Sequence, residues 1–86
     1  MNLVKVFSAL GDEVRLKIVA KIISKKEISC QDLLKSFSLS QPTMSHHLNV
    51  LVDSGVLKAR KQGVRFFYKV NKSGLKAKGI NIEKIL

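Results

Sequence analysis

The sequence has few acidic residues and a single cysteine. Six Asp and Glu are set against sixteen Lys and Arg, so the net charge is +10, which favours an anionic partner. Cys30 alone excludes an internal disulfide framework and a zinc site built from several cysteines of one chain. No apolar run approaches the roughly 20 residues that span a bilayer, and no signal peptide pattern is present. We therefore expect a cytoplasmic protein in a reducing environment.

Catalytic patterns are also missing. The six acids form no evident pair for acid–base chemistry, and there is no nucleophile motif or phosphate-cradling glycine loop. The chain of 86 residues allows one domain, over residues 1–86, and leaves little space for a substrate pocket. We therefore expect no enzyme and no cofactor.

The positive charge is distributed unevenly along the chain. Residues 1–56 contain seven Lys and Arg and five Asp and Glu, whereas residues 57–86 contain nine Lys and Arg and one Glu. The sequence therefore predicts a basic surface in the C-terminal third.

Apolar spacing predicts three helices in the first half. Residues 2–10 form a short and unusually apolar helix with Leu3, Phe7 and Leu10 on one face, and Gly11 ends it. Asp12 caps a second helix that keeps Arg15 outside, and residues 25–29 form a polar connection. Residues 30–37 form a third helix. So apolar a terminal helix is either one more core helix or half of a subunit interface.

A fourth helix begins at or next to Ser40 and ends before Gly55, a residue that adopts positive φ easily. Met44, Leu48 and Leu51 lie at i, i+4 and i+7 and form its buried stripe. Short hydrogen-bonding side chains occupy the outward side: Gln41, Thr43, Ser45, His46 and Asn49. Because a major groove accommodates a helix with such side chains, these five are candidate DNA contacts. His47 is expected nearer the core edge.

The apolar period changes to two after Gly55. Residues 56–61 and 64–70 predict a hairpin across Gln62-Gly63, with Phe66, Tyr68 and Val70 on the core face and Arg65, Phe67 and Lys69 opposite. Candidate phosphate contacts on the hairpin are Lys58, Arg60, Lys61 and Arg65. The fold predicted is α+β, mainly α: a winged helix-turn-helix with about five helices and a two-stranded β-hairpin wing.

Residues 71–86 predict a loop and a short terminal helix, weakened by Gly74 and Gly79. This segment is either a frayed tail or a dimer contact beside the first helix. The candidate dimer interface combines both ends of the chain: Leu3, Val4, Phe7, Ile82 and Leu86.

Several motifs together resemble the ArsR family of winged helix-turn-helix repressors, over roughly residues 3–70. They are Ser8-Ala9-Leu10-Gly11-Asp12 followed by Arg15-Leu16-Lys17-Ile18, then Ser40-Gln41-Pro42-Thr43 joined to Ser45-His46-His47-Leu48, then Gly55-Val56-Leu57 and Phe66-Phe67-Tyr68. The resemblance implies a cytoplasmic homodimer that binds double-stranded DNA at a palindromic operator and represses transcription. In many members of the family an inducer, often a metal ion, releases the DNA.

The sequence departs from the family at the metal site. Metal-sensing members carry Glu-Leu-Cys-Val-Cys-Asp-Leu on the third helix, where this chain has Glu27-Ile28-Ser29-Cys30-Gln31-Asp32-Leu33. Ser29 and Gln31 replace both ligands, and a lone thiolate is a poor basis for a soft-metal site. We therefore expect no metal site and leave the inducer open. Two alternatives remain: a winged-helix module that binds RNA or protein, and a regulator that responds to oxidation through Cys30.

Overall fold

The computed structural model describes residues 1–86. In chain order its elements are α1 (Leu3–Leu10), α2 (Glu13–Lys25), β1 (Ile28–Ser29), α3 (Cys30–Ser36), α4 (Gln41–Ser54), β2 (Leu57–Gln62), β3 (Arg65–Val70), α5 (Lys72–Ala77) and α6 (Ile82–Ile85). The predicted fold, a mainly helical α+β winged helix-turn-helix, is confirmed. None of the helices has the length and apolarity needed to cross a membrane.

Polar side chains begin the helices at the predicted positions. The carboxylate of Asp12 accepts the backbone N–H of Arg15 at 3.0 Å, and the Ser29 hydroxyl accepts that of Asp32 at 3.1 Å. Gly55 ends α4 in the left-handed conformation, with φ of 89°, and its N–H returns to the last turn of the helix. The caps therefore fix the starts of α2 and α3 and the end of α4.

The sheet has a third strand that the sequence did not predict. β1 pairs antiparallel with β3 through Ile28 opposite Tyr68 and Ser29 opposite Phe67, so the strand order is β1-β3-β2. A strand of two residues is too short to display a period of two, and residues 25–29 looked like a polar connection. Pairing with β1 anchors the wing to the segment that leads into α3.

One apolar core of 17 buried residues joins all six helices and the sheet. α1 contributes Val6, Ala9 and Leu10 to this core. Leu3 and Phe7, predicted on the same face as Leu10, instead lie exposed with Val4. The predicted stripe of α1 was therefore wrong, because its apolar residues surround more than half of the helix and only tertiary packing selects the buried side.

Residues 71–86 form two short helices instead of a loop and one helix. The Asn71 side chain accepts the N–H of Gly74 at 3.2 Å and donates to the carbonyl of Gly55 at 3.0 Å. A Cβ at Gly74 would overlap the Asn71 amide, so glycine permits this cap. Ile82, predicted as a dimer contact, is only 2% exposed and packs in the core of its own chain. The assignment of Ile82 to an interface was therefore wrong.

Candidate nucleic-acid interface

The helix-turn-helix consists of α3, a four-residue turn and α4. Met44, Leu48 and Leu51 are fully buried, as predicted. On the opposite side of α4, Gln41, Thr43, His46 and Asn49 are exposed and Ser45 is half-buried. The burial of the apolar stripe thus leaves an outward surface of α4, the α4 face, which is defined by those five polar residues and has no charged side chain.

The start of α4 is held by hydrogen bonds between side chains. The hydroxyl of Ser40 accepts the backbone N–H of Thr43 at 3.3 Å and donates to the hydroxyl of Thr43 at 2.9 Å. Pro42 occupies the first turn, where its missing N–H costs nothing. Thr43 is therefore oriented within the free protein before it meets any partner.

His47 lies on the inner edge of α4, as predicted, and contacts Arg15 of α2. The Arg15 guanidinium lies 3.3 Å from Nδ1 of His47 and donates to the carbonyl of Ala9 at 2.7 Å. The prediction that Arg15 lies outside was wrong: it is half-buried and ties the end of α1 to α4. The backbone N–H of Arg15, aided by its nearby guanidinium, holds the pKa of Asp12 below its usual value.

The register of the hairpin separates the wing's basic residues onto two faces. Lys61 pairs with Phe66, and its ammonium lies 5.7 Å from the centre of that ring. Ala59 pairs with Tyr68 on the same side, which we call the inner face because it is turned toward α4. Lys58 and Arg60 alternate with these residues and lie on the outer face, opposite Lys69 and Phe67.

Arg60 is engaged within the protein. Its guanidinium forms an ion pair with Glu27, with N···O distances of 2.7 and 3.3 Å, and donates to Gln62 at 2.8 Å. Arg60 and Arg65 both stack on the Phe67 ring, 4.6 and 5.2 Å from its centre. Hydrogen bonding from Arg60 lowers the pKa of Glu27. Sequence reasoning missed this cluster, since Glu27 meets the wing only through the unpredicted strand β1.

The residues of α3 do not fit the family's metal site. Ser29 is buried and used as the cap of α3, and Gln31 is exposed. Cys30 is half-buried, and burial raises the pKa of its thiol, which disfavours the reactive thiolate. No group of three or more His, Cys, Asp and Glu side chains is placed to hold a metal ion. His46 and His47 lie with their ring centres 5.9 Å apart and tilted by 53°.

Comparison with known proteins links this geometry to a family. The family model described as "Helix-turn-helix domain" matches residues 10–60. An uncharacterized HTH-type transcriptional regulator of Methanocaldococcus jannaschii is 38% identical over 64 residues, which is 74% of this chain and 72% of that protein. The arsenical resistance operon repressor of Staphylococcus aureus is 39% identical over 66 residues, 77% of this chain and 62% of the repressor.

A solved structure supports the same relationship. The ArsR-like transcriptional regulator from Rhodococcus sp. RHA1 superimposes with a TM-score of 0.78 at 28% identity, over 96% of this chain and 77% of that one. The chain spans less than two thirds of the Staphylococcus repressor's length. These relatives are regulators and not enzymes, and the family model covers more than half of the chain. The protein belongs to the ArsR family of winged helix-turn-helix transcriptional regulators.

Proposed function

We propose that the protein is a cytoplasmic, homodimeric repressor that places α4 of each subunit in the major groove of a palindromic operator. The observation that carries this proposal is the α4 face, which is exposed, polar and free of charge on a chain of net charge +10. Such a face can approach base edges without a desolvated carboxylate, while basic residues elsewhere attract the phosphates. Gln41 suits adenine, and Thr43 suits a thymine methyl group.

Contacts to the phosphates are assigned to the wing. Lys61 lies on the inner face, which is turned toward α4, so its ammonium can reach a backbone that passes α4. The other three predicted contacts lie on the outer face and remain predictions: Lys58, Arg60 and Arg65. If a dimer neutralises about six to ten phosphates, operator affinity should fall on the order of a thousandfold or more from low to moderately high salt.

The dimer is assigned mainly to α1. Val4 is 78% exposed and Phe7 is 59% exposed, with Leu3 beside them and Leu86 exposed at the other end of the chain. Apolar residues that remain exposed in one small domain are stabilised when a second copy covers them. Two copies would set two α4 helices about 34 Å apart, the spacing of consecutive major grooves on one side of a duplex.

The inducer is not assigned to a metal ion. Ser29 and Gln31 occupy the positions of the family's cysteine ligands, and neither is a soft-metal ligand. The reading of DNA by α4 does not depend on that site. The proposal therefore combines the family's DNA-binding surface with a different inducer or none.

The decisive experiment is the selection of bound sequences from random duplex DNA, followed by the variant Gln41→Ala/Ser45→Ala on the selected operator. The variant should lose its preference for the operator and retain salt-sensitive binding to unrelated duplex, because only base contacts are removed. Retained preference would refute the assignment of α4. A monomer at micromolar concentration in analytical ultracentrifugation would refute the dimer.

A further inference from the structure

A cleft of about 590 Å³ separates α4 from the inner face of the wing. Leu34 and Val52 form one apolar side, and Phe66 and Tyr68 form the other. Phe66 was predicted on the core face, but it is 43% exposed because the cleft, and not the core, lies in front of it. The Phe66 ring therefore remains open to solvent beside the α4 face, whereas Tyr68 next to it is only 7% exposed.

The cleft differs in charge from the rest of the molecule. None of its eleven lining residues is charged, although the chain has a net charge of +10. Lys61 lies beside the cleft, with its ammonium 5.7 Å from the centre of the Phe66 ring, but it is not among the lining residues. Gln41, Ser45 and Asn49 of the α4 face line the cleft, and their side chains form no hydrogen bond within the protein. Apolar walls and unpaired amide groups together suit an uncharged ligand that can hydrogen-bond.

We propose that the cleft binds a small, uncharged, planar organic molecule whose ring system packs against Phe66 and whose polar atoms meet Gln41 and Asn49. The cleft volume lies within the roughly 300–1,000 Å³ typical of small-molecule sites. The ligand covers three residues of the α4 face and so excludes DNA from it, a consequence that rests on the function proposed above. By linkage, DNA must then lower the affinity for the ligand by the same factor.

The first test uses the uncharged naphthalene dye prodan as the probe, with blue-shifted emission as the signal of binding. Ala59 lines the cleft from β2, so the indole ring of Ala59→Trp should fill it. Dye affinity should then fall at least about tenfold, the change expected when one aromatic ring of the dye is no longer buried. Lys69→Trp is the matched control, because it places the same ring on the outer face and should leave dye affinity unchanged. Equal affinities in the two variants would overturn the proposal.

Two further variants test whether the dye binds in the cleft itself, and not on the exposed apolar residues of α1 or on a misfolded protein. Phe66→Ala removes one wall of the cleft and places no new side chain in it. This variant should also weaken dye binding at least about tenfold. Val4→Ser/Phe7→Ser should leave dye affinity unchanged; a loss there would assign the dye to α1 and overturn the cleft. Thermal unfolding of each variant verifies that it is folded.

A last experiment tests whether DNA and the ligand exclude each other from the protein. Adding operator duplex to the dye complex should release the dye in proportion to the DNA bound. If the Ala59→Trp result holds but a saturated DNA complex retains the dye, the ligand site stands and the exclusion of DNA is wrong. If DNA fails to bind at all while the dye binds normally, the proposed function fails and the ligand site stands.

Discussion

Two helices of this protein expose opposite chemistry to solvent while burying their other sides in one core. α1 turns Leu3, Val4 and Phe7 outward, whereas the α4 face is polar and uncharged. An exposed apolar surface lowers its free energy by meeting another apolar surface, but free amide and hydroxyl groups are well hydrated and bind only a surface that replaces their water. The two helices therefore call for different partners, and each can be altered separately.

Negative charges placed on the exposed apolar residues of α1 should have the largest effect on dimer formation and operator affinity. Val4→Glu/Phe7→Glu should dissociate the dimer and weaken operator binding about a hundredfold or more, because two linked half-sites become two independent ones. Analytical ultracentrifugation and fluorescence anisotropy measure the two quantities. Lys5→Gln, on the same helix outside the apolar surface, should leave the dimer intact. Full operator affinity in a monomeric variant would break the link between α1 and α4.

Removing one positive charge from either face of the wing should have a smaller effect on DNA affinity. Lys61→Gln should weaken binding to operator and unrelated duplex alike and reduce the slope of log affinity against log salt by about 1 for each subunit. Lys58→Gln removes the same charge from the outer face and should change the slope less. Equal slopes for the two variants would show that total charge matters and its face does not.

Substitution of Glu27 tests whether operator binding depends on the α4 face alone or also on how the wing is held. Removing an acid from a basic protein should strengthen DNA binding electrostatically, but Glu27→Gln also breaks the ion pair that ties Arg60 to the residue just before β1. We expect a several-fold weaker operator affinity, with control Glu13→Gln slightly stronger or unchanged. Anisotropy titrations at constant salt measure both.

The same ion pair has a defined pH dependence. Since the pKa of Glu27 is lowered in the folded protein, its contribution to stability is complete above the unfolded pKa of a Glu side chain, and it is lost as pH falls through the folded value. The wild-type protein should therefore lose more stability than Glu27→Gln on acidification in that range. Parallel losses in thermal unfolding would contradict this role.

The smallest effect on either partner is expected at Gly55, which lies outside both surfaces. Gly55→Ala forces a Cβ into φ of 89° and near the Met1 side chain, which should cost about 1–2 kcal/mol of stability. Gly55→Asn should cost less, because asparagine tolerates the left-handed region better. Chemical denaturation measures the loss. If the fully folded variant showed a changed dimer or operator affinity, the exposed apolar side of α1 and the α4 face would be coupled through the end of α4.

Much of the candidate site followed from local sequence. Ser40, Pro42 and Gly55 set the limits of α4, and the spacing of Met44, Leu48 and Leu51 determined which of its sides is buried. The alternation of Arg65, Phe67 and Lys69 against Tyr68 and Val70 likewise placed side chains on two faces of β3. These features depend on residues within one or two turns of each other, where periodicity is a direct record of burial.

Other features were decided only by the tertiary structure. The two-residue strand β1, the ion pair of Glu27 with Arg60 across 33 positions, and the Arg15–His47 contact join segments distant in sequence. The burial of Ile82 and the exposure of Leu3 and Phe7 depend on which apolar side other helices cover. The sequence by itself determined the α4 face and the positive charge. Packing alone decided which apolar residues remained free for a partner, because apolar character drives burial without specifying the surface that provides it.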